Sequence, residues 1–419
     1  MQLDTLQKKT AFLVTSAVLA VGSLVSVSRS AIAEKYATAD DPSFLRRAAA
    51  MEPYNAARHH WVGRVALFVE GDPSTAVREL EEATRLNPWI VDYWLDLALA
   101  YKGVGDAAAE GRALDKAFGA EPKNLNAAVS EGNFYLSRGD TAAAMQRFRL
   151  VLENDPPNPV SVIDTCWRAT HSAPAVLAAL PARADLHFRL LELLVRYNEP
   201  DAAAQVWQHI VAMHQSLDSG NPVAYVDWLI QQKQPAQARS AWDEIQAADQ
   251  GKQGGNSSNG SLVNAGFEDD IRNAGFDWRF NNTGAVVLFQ DDDNPHSGHR
   301  SLAVTYNGAS TTDAGIWQIF PATPGTTMRL SAYARTKDLL AAIPPRLGVE
   351  DYYSRTLVAT GPEIAATNNW QPTSVDFTVP AESHLLAVRI VQGPQPTRVK
   401  GTVWLDDLAL SVLPSASAP

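Results

Sequence analysis

GDTAAAMQRFRLVLENDP, residues 139–156, is the stretch that decides the N-terminal fold. It opens on Gly139-Asp140, continues through the small Ala144, the large Phe148 and Val151, and closes on Pro156. The same order of residue types returns upstream. Gly71-Asp72 and Gly105-Asp106 open two earlier copies, Leu80 and Leu114 stand where Phe148 does, and Ala83 and Ala117 where Val151 does. Pro53, Pro88, Pro122 and Pro156 recur at offsets of 35, 34 and 34. Each position has a physical reason. Gly ends a helix in the left-handed conformation, Asp caps the next one, and small residues such as Ala76 and Ala144 let paired helices approach. The large residues fill the groove between helices, and Pro stops the second helix. A period near 34 residues with two helices per period predicts a helical repeat array.

In the first helices Trp94, Leu97, Ala98 and Tyr101, and in the following copy Gly132 and Tyr135, complete a pattern that resembles the tetratricopeptide repeat family over residues 57 to 156. Further on, Ala203, Trp207 and Ile210 return as Ala238, Trp242 and Ile245 at an offset of 35, which extends the array in degenerate form across 40–249. Between these stretches Pro157, Pro159, Pro174 and Pro181 predict short irregular helices over 157–181 and a bend. The resemblance implies a concave groove lined by first helices that holds a protein partner. Asp92, Leu95, Leu99 and Lys102 of one unit and Asn126, Val129, Asn133 and Leu136 of the next are the residues it places there. The family's basic and Asn cluster for a C-terminal carboxylate is not evident among them.

The 419 residues suit two or three domains, with 46% hydrophobic and 19% charged residues and a formal charge of -11. That balance excludes a nucleic-acid partner, which needs clustered cations. At the N-terminus, Lys8 and Lys9 precede an uncharged run over 11–27 and then Ala31-Ile32-Ala33, so residues 1–35 carry either a cleaved signal peptide or a retained membrane anchor. Both readings send the chain out to the periplasm or cell envelope, the second leaving it on the inner membrane. Cys166 is the sole cysteine, so no internal disulfide forms, and its apolar helical setting predicts a buried inert thiol.

Residues 250–261, QGKQGGNSSNGS, read as a flexible linker, and 413–419 as a tail. From 262 to 412 the texture becomes short alternating runs, among them SLAVTY, TMRLSAYAR, LLAVRIV and TVWLDDLAL, which predict an all-β antiparallel sandwich. NAGFE at 264–268, GFDWRF at 275–280, SGHRSLAV at 297–304, PGTTMRLSAYART at 324–336, Trp370 before DFTVP and WLDDLAL at 404–410 together resemble jelly-roll carbohydrate-binding modules. That resemblance implies a structural calcium held by Glu268 and one of Asp406 or Asp407, with backbone oxygens near 297–300. It makes Trp278, Trp370 and Trp404 core residues. Strand alternation puts Leu330, Ala332 and Ala334 on one face and Tyr333 and Arg335 on the other. The same rule leaves Glu350 and Arg389 outside, so Tyr333, Arg335, Glu350 and Arg389, with Gln318, are expected to line one polar groove, and Trp317, Tyr352 and Tyr353 to serve as aromatic platforms for polysaccharide. The acidic run Asp291–Asp293 with His296 and His299 reads as a solvated loop.

The expected function is a non-catalytic exported scaffold, the array taking a protein and the sandwich a polysaccharide. Its domain order resembles accessory proteins of bacterial exopolysaccharide assembly and export. A purely structural scaffold without glycan binding is the alternative. A polysaccharide-modifying enzyme is disfavoured, because the sequence offers no GxSxG, no HExxH, no phosphate-cradling loop and no carboxylate pair on a recognisable catalytic fold.

Overall fold

The structure is a computed structural model that describes residues 6–37, 42–253, 262–364, 366–367 and 369–414. Backbone contacts divide the chain into two compact units, 1–193 with 201–206 and 194–200 with 207–419.

In the first unit α1 (Leu6–Ala37) and α2 (Pro42–Met51) lead into antiparallel pairs: α3 (Ala56–Phe68) with α4 (Pro73–Leu86), α5 (Val91–Val104) with α6 (Ala107–Ala120), and α7 (Leu125–Ser137) with α8 (Thr141–Glu153). The repeated Gly-Asp behaves as its residue types require. Gly71, Gly105 and Gly139 take positive φ of 67°, 78° and 78°, and the carboxylates of Asp72, Asp106 and Asp140 accept the amides of Thr75, Ala109 and Ala143 at 3.0, 2.9 and 3.0 Å. Leu80, Leu114 and Phe148 are buried between the helices. Gly132 is required for close approach, since a methyl group there would come within 2.5 Å of the Phe148 ring.

Residues 157–181 differ from the irregular helices expected of them. They form α9 (Pro159–Thr170) and the shorter α10 (Ala173–Ala179). Pro159 and Pro174 fall in first turns, where a missing N–H breaks no helical hydrogen bond, so the prolines start helices instead of disrupting them. Cys166 is buried in α9, and burial pushes its thiol up to about 12, which keeps it unreactive. The chain continues through α11 (Ala184–Tyr197) and α12 (Pro200–Ala212).

The second unit contains α13 (Pro222–Gln231), α14 (Pro235–Gln253) and ten strands. Trp207, Ile210, Trp242 and Ile245, the residues of the degenerate repeats, are buried. The linker read over 250–261 begins inside α14, and its residues 254–261 lie outside the described residues. Helices and sandwich touch within this unit. Asp227 accepts the Gly275 amide at 3.0 Å and pairs with Arg279, the Tyr353 hydroxyl donates to the Ile230 carbonyl at 2.9 Å, and Trp242 packs on Phe276.

The strands β1 (Arg279–Phe280), β2 (Val286–Asp291), β3 (Ser301–Thr311), β4 (Asp313–Pro321), β5 (Thr327–Ala341), β6 (Arg346–Asp351), β7 (Leu357–Thr360), β8 (Gln371–Thr378), β9 (Leu385–Val391) and β10 (Thr397–Val412) make two antiparallel sheets. The first has the order β1-β4-β9-β6-β7 and the second β2-β3-β10-β5-β8. Alternating residues close the core between them: Leu302, Val304, Leu330, Ala332, Val403 and Leu405 from the second sheet meet Ile316, Phe320, Leu347, Val349, Val388 and Ile390 from the first.

Candidate functional site

The topology separates what strand alternation alone had put together. Glu350 on β6 and Arg389 on β9 lie in the first sheet, whereas Tyr333 and Arg335 on β5 lie in the second. Their outward faces point away from a shared core, so the four cannot line one groove. Gln318 leaves the surface altogether. It shares the inward face of β4 with the core residues Ile316 and Phe320, is 0% exposed, and donates Nε2 to the Val263 carbonyl at 2.6 Å.

On the second sheet the loop over 291–300 covers the outer face. His296 stacks on Tyr333 with ring centroids 3.6 Å apart. Arg335, only 9% exposed, lies 4.2 Å from the Trp404 ring and 5.4 Å from the Trp370 ring and donates to the Asp293 carbonyl at 2.5 Å. The two indoles secure the same loop, Trp370 donating to the Asn294 carbonyl at 3.0 Å and Trp404 to Asp291 at 2.7 Å. Trp278 is a core residue as the resemblance implies, but Trp370 and Trp404 belong to this outer face, and Trp370 is half-buried. Asp291 is likewise tied down, while Asp292 and Asp293 are exposed. Aromatic and cationic groups so engaged are not presented to a ligand.

On the first sheet the outer face stays open. A cavity of about 410 Å³ is lined by Asn281, Trp317, Glu350, Arg355 and Arg389. Cross-strand register explains part of the grouping, because Trp317 on β4 stands directly opposite Arg389 on β9. The Arg389 guanidinium lies 5.7 Å from the Trp317 ring centroid, donates to Asp313 at 2.5 Å and to Glu350 at 3.2 Å, and Arg355 reaches Glu350 at 3.3 Å. With Asp313, which pairs with Arg389 without lining the cavity, the two cations meet two carboxylates. Trp317 Nε1 and Arg389 Nε are buried donors without a hydrogen-bond partner among the described residues. Asn281 and Arg355 lie on segments flanking strands, where alternation gives no direction, and sequence reading missed both. Tyr352 carries Arg355 at 4.8 Å from its ring, and Tyr353 is turned to the Ile230 carbonyl; neither borders this cavity.

Glu268, Asp406 and Asp407 all border the turn at Gly266, but among the described residues no group of three or more His, Cys, Asp or Glu side chains is gathered closely enough to hold a metal ion. A methyl group on Gly266 would stand 3.7 Å from Asp406 Oδ1, 3.8 Å from Asp407 Oδ1 and 3.9 Å from Glu268 Cγ. Glu268 accepts the amides of His299 at 2.9 Å and Arg300 at 3.2 Å. Asp406 accepts those of His296, Ser297 and Asp407, and Asp407 pairs with His296 at 2.5 Å. Asp406 is wholly buried, and burial, with the charge of Asp407 beside it, pushes its carboxyl up to about 6 against those amide bonds. Carboxylate oxygens are the donor type a hard cation takes, but here they already accept backbone amides, the Ser297 hydroxyl and the His296 ring, so a cation would have to displace those donors.

In the repeat unit a second cavity of about 410 Å³ is lined by Arg64, Asp92, Leu95, Asp96, Leu99, Asn126, Val129 and Ser130. Five of the eight expected groove residues gather there; Lys102, Asn133 and Leu136 do not. Asp96, bonded to His60 at 2.7 Å and paired with Arg64 at 3.6 Å, is the feature the repeat pattern did not reveal.

Fold and site together define a helical-repeat chain that ends in a β-sandwich with an open polar and aromatic face. A family model described as a carbohydrate binding domain matches residues 259–397, so the C-terminal domain is a carbohydrate binding domain. Among solved structures, the enzymatically active domain of bacteriophage CBA120 tailspike protein 4 is similar at 14% identity and TM-score 0.27, over 37% of this chain and 21% of that one. TmCBM61 in complex with beta-1,4-galactotriose is similar at 18% identity and TM-score 0.28, over 37% of this chain and 100% of that one. The MamA protein is similar at 16% identity and TM-score 0.34, over 42% of this chain and 94% of that one. The chain thus spans about a fifth of the tailspike domain's length. No curated protein matches the chain.

Proposed function

We propose that this protein is a non-catalytic envelope scaffold that binds a neutral polysaccharide through the outer face of its first sheet and a protein partner through the repeat groove, in exopolysaccharide assembly or export. The carrying observation is the open cavity around Trp317, Glu350 and Arg389 on a domain of carbohydrate-binding family. An indole offers its face to the CH surface of a sugar ring, and fixed polar groups around it take the hydroxyls. Equal numbers of cations and carboxylates favour an uncharged chain over an anionic one. Catalysis is disfavoured because Glu350 and Asp313 are both ion-paired with Arg389, which leaves neither carboxylate free to engage a substrate. Migration of the full chain through native gels containing neutral or acidic polysaccharides tests the reading. Retardation by at least one neutral polymer is expected; retardation by acidic polymers alone contradicts it, and equal migration in every gel supports the purely structural scaffold.

A calcium ion between Glu268 and the Asp406-Asp407 pair belongs to the same proposal, with a structural role. The sign of its pH dependence follows from Asp406. A carboxyl raised to about 6 in the folded state stabilises the fold below its ordinary value of 3.8 and loses that contribution as pH rises through 6, a difference of up to about 3 kcal/mol. Calcium competes with the proton, so it acts above pH 6. Melting in chelator at pH 5 and pH 7.5, repeated with calcium, is expected to show a rise of several degrees on adding calcium at pH 7.5 and a smaller one at pH 5. Superimposable curves at both pH values contradict the metal.

A further inference from the structure

The apolar helix α1 does not end where the apolar run ends. From Phe12 to Val27 its large side chains are exposed, and none of its apolar window is buried among the described residues. Beyond Ser28 the same helix becomes part of the fold. Arg29 donates to the Met51 carbonyl at 2.7 Å, Ala33 is wholly buried, and Tyr36 stacks on Phe44 of α2 at 5.4 Å. Arg58 on α3 bridges Glu34 at 2.6 Å and Glu52 at 3.0 Å. The small-residue motif Ala31-Ile32-Ala33 therefore lies inside a continuous helix that closes the first end of the repeat stack, with its backbone carbonyls and amides in use. Repeat arrays need such a terminal cap, because an end repeat has no neighbour to cover its apolar face. Cutting after Ala33 would remove Arg29 and Ala33 from Met51 and α2 and uncover that face.

We infer that α1 is a retained, single-pass membrane helix whose last turns are the capping helix of the array, so that the repeats are joined to the bilayer by rigid helix. The partner of the exposed surface is the lipid bilayer. Between Lys9 and Arg29 lie 19 uncharged residues, about 28 Å of helix, which matches a hydrocarbon core of about 30 Å. One helix over Lys9–Tyr36 is long and apolar enough to cross. Lys8 and Lys9 face the cytoplasm by the charge rule, which puts the array on the far side. Tyr54, 85% exposed, stands at the same end. It shares a cavity with Val25 and Arg29 of α1, so its ring is positioned for the headgroup layer.

The test uses the full chain with a C-terminal tag, expressed in a Gram-negative host. Intact mass of the protein from carbonate-washed membranes is expected to include the residues from the N-terminus through Ala33. A soluble species beginning at Glu34 overturns the retained helix. In nanodiscs of phosphatidylethanolamine and phosphatidylglycerol, amides of 29–37 are expected to exchange at least a hundredfold more slowly than in a free peptide of that sequence; exchange at the peptide rate overturns the cap. Neither outcome depends on whether the sandwich binds glycan.

Discussion

Arg147→Ala is expected to destabilise the repeat unit by about 3–5 kcal/mol at neutral pH, read as a fall in the urea midpoint with unchanged slope. Glu131 on α7 is 2% exposed, and burial raises its carboxyl above the ordinary range even with Arg147 beside it. Arg147 on α8 is its ion-pair partner at 2.5 Å and also lies 4.3 Å from the Phe118 ring centroid, so the cation ties α8 to both α7 and α6. Removing the guanidinium leaves a carboxylate buried without a counter-charge, which is costlier than never having had the pair. The pH dependence follows. Without Arg147 the Glu131 carboxyl moves further up, so the variant recovers stability as pH falls and is worst at pH 8. Glu131→Gln combined with Arg147→Ala is expected to restore a large part of the loss at pH 8 and to flatten the dependence. A single variant as stable as the parent at pH 8 contradicts this role.

Gly275→Ala is the second large effect. Gly275 has φ of +59°, and a methyl group there would come within 2.1 Å of the Trp242 ring, which is itself wholly buried in α14 and has nowhere to move. Backbone strain and overpacking together cost about 2–4 kcal/mol. Gly284 provides the control within the same unit, with φ of +69° and nothing within 4 Å of an added methyl, so Gly284→Ala meets only the strain of about 1 kcal/mol. The difference between the two variants, measured by melting with tryptophan fluorescence, isolates the contact of α14 with the sandwich. Equal losses contradict a close fit there.

The repeat array was legible because its signals are local. A glycine in the left-handed region, an Asp cap one residue on and a proline stop all act within one turn of where they are written, and a fixed period multiplies them. The prolines of 157–181 misled for the same reason, since whether a proline breaks a helix or starts one depends on a register that the residue type alone does not reveal. In the sandwich, alternation correctly put Leu330, Ala332 and Ala334 together on one face, which is the buried one. It missed Gln318, whose polarity suggested a surface that its place between Ile316 and Phe320 denies. The polar groove failed at a higher level. Alternation says which side of a strand a residue takes but not which sheet the strand joins, and β5 and β9 fall in different sheets. Equally, nothing local announces that Asp291 meets Trp404, 113 residues away, or that His296 covers Tyr333. Asn281 and Arg355 became visible only when strand order brought their segments to the Trp317 face.

The proposed glycan face is tested most directly by comparing two aromatic substitutions on opposite sheets for retardation of the full chain in a neutral polysaccharide gel. Trp317→Ala is expected to reduce affinity at least tenfold and Tyr333→Ala to leave it within twofold, with both variants folded by circular dichroism. Binding lost with Tyr333→Ala and kept with Trp317→Ala would contradict the assignment of the ligand to the first sheet.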